Sequence, residues 1–140
     1  MDQRKLINSY YKIATRFLRE NKLEEAIVKY QEVIKLDPKH FKSFSNLGVA
    51  YKNLGRLKEA SQAFQRALKL KPNSATVYNN LGNVYTAMEE FNKAIWHYEK
   101  AIELKPNYKD AYKNLGSVYF FTGRTEKALE ILNLPNLTNL

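Results

Sequence analysis

The sequence predicts an all-α fold made of stacked antiparallel helix pairs. The first observation is a repeat, since the tripeptide Asn-Leu-Gly begins at Asn46, Asn80 and Asn114, each 34 residues after the previous one. The second is that apolar residues recur at helical spacing inside each period. The third is that turn residues and prolines recur between the apolar stretches. A chain with such a period folds as copied units that pack on their neighbours.

The first helix of each period is indicated by a stripe of large and small apolar residues. In the second period the stripe is Phe44, Leu47, Gly48 and Tyr51, at spacings of three, one and three, which place all four side chains on one helical face. We expect the small residue to let a second helix approach closely. The other periods hold, at the same positions, Tyr10, Ile13, Ala14 and Phe17, then Tyr78, Leu81, Gly82 and Tyr85, then Tyr112, Leu115, Gly116 and Tyr119.

The second helix of each period is marked by an Ala and a large apolar residue four places later, as in Ala60 and Phe64. Prolines are predicted to end these helices, because proline restricts its predecessor and cannot continue the hydrogen-bond ladder. The predicted repeats are residues 7–40, 41–74, 75–108 and 109–140, the last one truncated, in a single array over 1–140. The turns within the repeats are predicted at Asn21-Lys22, Gly55-Arg56, Glu89-Glu90 and Gly123-Arg124, and the helix ends at Asp37-Pro38, Lys71-Pro72 and Lys105-Pro106.

Composition excludes several classes of protein, and the positive charge is distributed unevenly along the chain. The chain has no Cys, which excludes disulfides, thiolate zinc sites and cysteine nucleophiles and favours a cytoplasmic location. No apolar run is long enough for a membrane span. Residues 1–70 hold 15 Lys or Arg against 7 Asp or Glu, whereas residues 71–140 hold 8 against 7. Three interpretations of this basic first half are open. It binds an acidic peptide, it binds nucleic acid, or its lysines are ordinary solvated surface residues.

The repeated residues resemble the tetratricopeptide repeat family, whose pattern is an aromatic, Leu-Gly, an aromatic, a spaced Ala and aromatic, and a closing Pro. The resemblance covers residues 7–140 and implies a right-handed superhelical solenoid in which first helices line a concave face and second helices a convex face. The second repeat carries the pattern as Phe44, Leu47-Gly48, Tyr51, Ala60, Phe64 and Pro72, and the third as Tyr78, Leu81-Gly82, Tyr85, Ala94, Tyr98 and Pro106.

On this resemblance, the residue before each Leu of the first helices, or before Ile13 in the first repeat, points into the groove. These residues are Lys12, Asn46, Asn80 and Asn114, and Asn79 and Asn83 extend the polar strip. An Asn amide has donors and an acceptor, so it can pair with the backbone of an extended peptide. Lys12, Lys42 and Lys52 would attract an acidic peptide. The alternative is that Asn recurs only because the repeats were copied.

Some family members bind the end of a chaperone tail with Lys and Arg side chains at set positions, and this chain has no Lys or Arg at those positions. Placing that pattern on the first three repeats selects Tyr11, Thr15, Asn46, Thr76 and Asn80, none of which is charged. A clamp for a chaperone tail is therefore not expected.

The function predicted is a non-enzymatic scaffold or adaptor that binds an extended, acidic peptide segment of another protein in its concave groove. No catalytic residue, metal ligand or cofactor site is predicted, because His40 and His97 have no nucleophile at a meaningful spacing. The alternative is an RNA-associated module that uses the basic half. Because the last repeat has no cap, the tail Leu134–Leu140 is expected to cover it, or two molecules are expected to associate there.

Overall fold

A computed structural model describes residues 2–133 of the chain, and within this range it contains eight helices and no strand. The predicted all-α class is confirmed. The helices are α1 (Gln3–Arg19), α2 (Leu23–Leu36), α3 (Phe41–Asn53), α4 (Leu57–Leu70), α5 (Ala75–Ala87), α6 (Phe91–Leu104), α7 (Lys109–Phe121) and α8 (Thr125–Leu132).

Each first helix is joined to its second helix by a turn that contains one left-handed residue. The backbone φ is 59° at Asn21, 80° at Gly55, 61° at Glu89 and 81° at Gly123. These positions are 34 residues apart, so the turn repeats with the sequence period. The predicted turns are confirmed, and Gly is the residue that takes this conformation without a steric penalty.

The second helices end just before the prolines, as the sequence predicts. The caps of α2, α4 and α6 are Asp37, Lys71 and Lys105, and a proline follows each of them. At Asp37 and Lys71 the backbone is extended, which is the conformation that a following proline favours. The predicted helix ends are therefore confirmed.

The chain divides into two compact units, residues 1–72 and 73–140. The described part of unit 1 contains α1 to α4, and that of unit 2 contains α5 to α8. In each unit the two first helices, α1 with α3 and α5 with α7, are in contact. The organisation of the whole chain as one array stays a prediction.

The core of each unit is formed where a large side chain of a second helix packs on a small residue of a first helix. A Cβ atom added to Gly48 would lie 2.6 Å from the Phe64 ring, and one added to Gly82 would overlap the Tyr98 ring. Phe64 and Tyr98 are no more than 1% exposed. The expected close approach of the helices is confirmed, because no side chain fits at these glycines.

The last helix pair is shorter than the others. Helix α8 has 8 residues, whereas α2, α4 and α6 each have 14, and Gly116 of α7 packs against Leu132 of α8. The predicted capping tail, Leu134–Leu140, lies outside the described residues. Among helices within residues 2–133, none is long and apolar enough to span a membrane.

Candidate functional site

The first helices of unit 1 carry most of its positive charge. Helices α1 and α3 together contain seven Lys or Arg and no Asp or Glu, whereas α2 and α4 contain five against four. Among residues 2–133, none of the seven cations has a carboxylate oxygen within 4.0 Å. The charge of these two helices is therefore not neutralised by ion pairs within the described chain.

Three of these cations border one depression on α1. Lys12, Arg16 and Arg19 follow one another at spacings of four and three, so they lie along one helical face. All three are exposed, and they line an open depression of about 360 Å³ together with Tyr11, Ile13 and Thr15. Lys12 was predicted from the sequence as a binding residue, and the structure places Arg16 and Arg19 beside it.

The two remaining predicted lysines lie on α3. Lys42 is exposed near the start of the helix and Lys52 is partly exposed near its end. Ten residues separate them, which is about 15 Å along a helix axis. They therefore do not form a single cluster with each other.

Tyr11 and Asn46 link the two first helices of unit 1. The Asn46 Nδ2 donates a hydrogen bond of 3.2 Å to the Tyr11 hydroxyl. The Tyr11 ring lies 5.0 Å from the ring of His40, which caps α3 through Nδ1 accepting from the Ser43 amide. Burial lowers the pKa of His40, so its imidazole is neutral at neutral pH and adds no charge here.

The same link recurs between the first helices of unit 2. The Asn114 Nδ2 donates a hydrogen bond of 3.1 Å to Asn79 Oδ1. Both this bond and the Asn46–Tyr11 bond join residues 35 positions apart, one more than the sequence period. Asn79 is only 5% exposed and is therefore not placed to contact a ligand. Its role in the structure is to hold Asn114.

The side chain of Asn83 is hydrogen-bonded to Tyr98, the buried tyrosine of α6. Its Oδ1 accepts a hydrogen bond of 2.6 Å from the Tyr98 hydroxyl, which also lies 3.1 Å from Thr86 Oγ1. Burial raises the pKa of Tyr98 to about 12, so the phenol keeps its proton and donates at neutral pH. This bond positions the buried ring against Gly82.

Asn80 differs from the other predicted asparagines. It is partly exposed, and its amide makes no hydrogen bond with any residue in the range 2–133. Asn114 uses one N–H internally and keeps its Oδ1 and second N–H for another partner, whereas the Asn46 side chain interacts with the hydroxyls of both Tyr11 and Tyr30. The structure thus brings Asn80 and Asn114 onto the paired first helices of unit 2, while Asn46 belongs to unit 1.

Sequence reasoning missed two features of the site. Arg16 could have been found from its spacing of four after Lys12, which is the spacing of neighbours on a helix surface. The internal use of Asn79 could have been found by comparing positions 35 residues apart as well as 34, because a polar residue stands at both ends of that interval.

In the part of the chain that the structure describes, the acidic and histidine side chains do not cluster into a metal site. No three of these side chains are grouped so as to hold a metal ion. Both histidines pack among aromatic rings, His40 on Tyr11 and His97 within 4.9 Å of Tyr85 and Trp96. Burial lowers the pKa of His97.

The family model described as TPR repeat matches the chain over residues 15–55, 52–88 and 82–123, which together cover more than half of its length. A crystal structure of MamA has 30% sequence identity and a TM-score of 0.84, over 89% of this chain and 73% of that one. No curated protein sequence matches the chain significantly.

Two structures with lower identity share the fold alone. MamA from residue 41 onward, from Desulfovibrio magneticus RS-1, has 22% identity and a TM-score of 0.85 over 90% of this chain and 71% of that one. The first TPR of Spaghetti (RPAP3), bound to the HSP90 peptide SRMEEVD, has 23% identity and a TM-score of 0.81 over 88% of this chain and 97% of that one.

Proposed function

Because this chain belongs to the tetratricopeptide repeat family, we propose that it is a non-enzymatic interaction scaffold that binds an extended segment of a partner protein on its first helices. The observation that carries this proposal is the uncommitted amide of Asn80, which lies on the same pair of helices as Asn114. We also propose a cytoplasmic location, because the chain contains no cysteine.

The asparagines supply the chemistry for backbone recognition. The amide of Asn80 offers two donors and an acceptor, so it can pair with a C=O and an N–H of one peptide unit. Asn114 offers one N–H and its Oδ1, because Asn79 fixes the other N–H. A preoriented amide loses less side-chain entropy on binding. Asn46, held by Tyr11, takes the same role in unit 1.

The charge of the first helices favours an acidic ligand. Lys12, Lys42 and Lys52 lie on helices that carry no carboxylate, so their field attracts anions. The first TPR of Spaghetti, which shares this fold, is bound to the HSP90 peptide SRMEEVD, and that supports a short acidic segment as the ligand class. The charged clamp positions are uncharged in this chain, so a different acidic segment is the ligand we propose.

Selection from a random peptide library displayed on phage tests this function. Peptides that bind the intact chain should lose affinity by about 5- to 150-fold on Asn80→Ala, because two hydrogen bonds of about 0.5 to 1.5 kcal/mol each are removed. The matched control is Asn107→Ala, since Asn107 is exposed in the loop between α6 and α7. Equal affinities of Asn80→Ala and Asn107→Ala for every selected peptide would contradict the proposal.

RNA is the competing ligand for the basic helices, and salt dependence separates the two. A single strand that contacts four cations should show a slope of about −2.8 in a plot of log affinity against log salt. A peptide with one or two acidic contacts should show a shallower slope. Tighter binding of single-stranded RNA than of any selected peptide at physiological salt would replace the peptide proposal.

Self-association through the last helix pair is a further part of the proposal. Phe120, Phe121 and Leu129 are 46%, 72% and 48% exposed, and they belong to α7 and α8. Apolar surface of this kind favours association with a second copy. Sedimentation across concentration should show a dimer that Phe121→Lys dissociates, and a monomer at every concentration would refute this part.

A further inference from the structure

We propose that the depression on α1 is a subsite for a phosphate group, carried by a phosphoserine or phosphothreonine of the bound segment. This inference rests on the proposed function, because it assigns a ligand group to the same first-helix surface. The depression is bordered by Lys12, Arg16 and Arg19, and α1 contains no carboxylate from Gln3 to Arg19.

The cations are free to bind an anion. Within residues 2–133, no carboxylate oxygen lies within 4.0 Å of Lys12, Arg16 or Arg19, and none of the three stacks on an aromatic ring. The adjacent carboxylate Glu20 lies 4.0 Å from Lys22. Binding an anion therefore requires no internal ion pair to break.

Tyr11 adds a directed donor to the same depression. Its hydroxyl oxygen accepts from Asn46 Nδ2, and its own O–H proton has no acceptor among the described residues. The Asn46 bond and the His40 ring hold Tyr11 at the edge of the depression. Tyr11 therefore adds a side chain of fixed position to the lining of the depression.

These donors fit a phosphate better than a carboxylate. A guanidinium presents paired N–H groups that match two oxygens, and one carboxylate satisfies one such fork. A phosphate monoester has three terminal oxygens and a charge of about −1.5 to −2 at pH 7, so it can engage the guanidinium groups of both Arg16 and Arg19, which line the depression. The subsite therefore favours a phosphate over a carboxylate, because the phosphate carries more negative charge and more oxygen acceptors.

Backbone amide NMR of the intact chain tests the subsite with defined probes. The probes are Ac-Ala-Ala-X-Ala-Ala-amide peptides in which X is phosphoserine, glutamate or serine, and inorganic phosphate as the free anion. The phosphoserine peptide should shift amide signals of residues 11–19 and bind at least about tenfold more tightly than the glutamate peptide, because it can form more charge-assisted bonds. Tighter binding of the phosphoserine peptide than of inorganic phosphate would assign the site to a peptide-borne group, and the reverse order would overturn that assignment.

A matched pair of variants controls for net charge. Arg16→Gln/Arg19→Gln should abolish the preference for phosphoserine over glutamate, whereas Lys35→Gln/Lys69→Gln, which removes two exposed cations from second helices, should keep it. Equal affinities for phosphoserine and glutamate, or equal losses in the two variants, would overturn the subsite. If the selected peptides still require Asn80 but the phosphoserine peptide binds no more tightly than the glutamate peptide, the scaffold function stands and the phosphate subsite falls.

Discussion

Gly82→Leu is the substitution that most directly probes how the helix pairs are packed. A Cβ atom at Gly82 already overlaps the Tyr98 ring, with ring carbon Cδ1 at 2.5 Å and Cζ at 2.8 Å, and leucine adds three further carbons. Tyr98 cannot move aside easily, because it is 1% exposed and its hydroxyl is held by Asn83 and lies beside Thr86.

The expected loss of stability follows from these contacts. Overpacking costs about 1 to 3 kcal/mol, and displacing the Tyr98 hydroxyl loses one or two hydrogen bonds of about 0.5 to 1.5 kcal/mol each. Leucine regains about 1 kcal/mol of helix propensity over glycine. The net destabilisation is about 0.5 to 5 kcal/mol, with a central value of about 3 kcal/mol. For a domain of this size that lowers Tm by about 10 °C.

Urea unfolding followed by circular dichroism measures this loss, and Gly123→Asn is the control. Gly123 has a φ of 81° and nothing within 4 Å of an added Cβ, and Asn21 occupies the equivalent turn position with a φ of 59°. Asparagine tolerates this conformation, so Gly123→Asn should change stability by less than about 1 kcal/mol. Equal free-energy changes for the two variants would refute the packing described for Gly82.

Three further changes in unfolding free energy follow from the structure, each measured by urea unfolding. Ser43→Ala should stabilise the chain by about 1 kcal/mol, because the buried Ser43 hydroxyl has no partner in the described structure and the equivalent position in the fourth repeat is already Ala111; a loss of stability would show that the hydroxyl is satisfied. Glu89→Gly should stabilise it by about 1 kcal/mol, since Glu89 is held at a φ of 61°; an unchanged or lower stability would contradict this assignment of strain. Asn114→Ala should destabilise it by about 1 to 3 kcal/mol, because the buried Asn79 oxygen loses its donor; the double variant with Asn79→Ala should recover part of that loss, and a neutral Asn114→Ala would argue against the bond.

The fold could be predicted from the sequence because its determinants are local and repeated. The glycines, the left-handed turn residues and the prolines each impose a conformation that depends on a few neighbours, and they recur every 34 residues. Gly48 and Gly82 also indicated the packing partner, since the large side chain of the second helix, Phe64 or Tyr98, fills the space beside each of them.

The site could be predicted only in part, because hydrogen-bond partners depend on the offset between helices. The sequence identified Asn46, Asn80 and Asn114 as one set, but the packing of α5 against α7 buries Asn79 and joins it to Asn114, which leaves Asn80 as the uncommitted member. The sequence assigned the excess positive charge only to a half of the chain, residues 1–70. The concentration of this charge on first helices, which brings Arg16 beside Lys12, required the helix boundaries.

The most direct test of the central claim is chemical-shift mapping of the intact chain with a peptide selected from the library. Binding on the first helices predicts that the largest shifts fall there, including those of the side-chain amides of Asn80 and Asn114, while signals of the second helices change little. Shifts confined to the second helices, with the Asn80 and Asn114 amides unchanged, would contradict binding on the first helices.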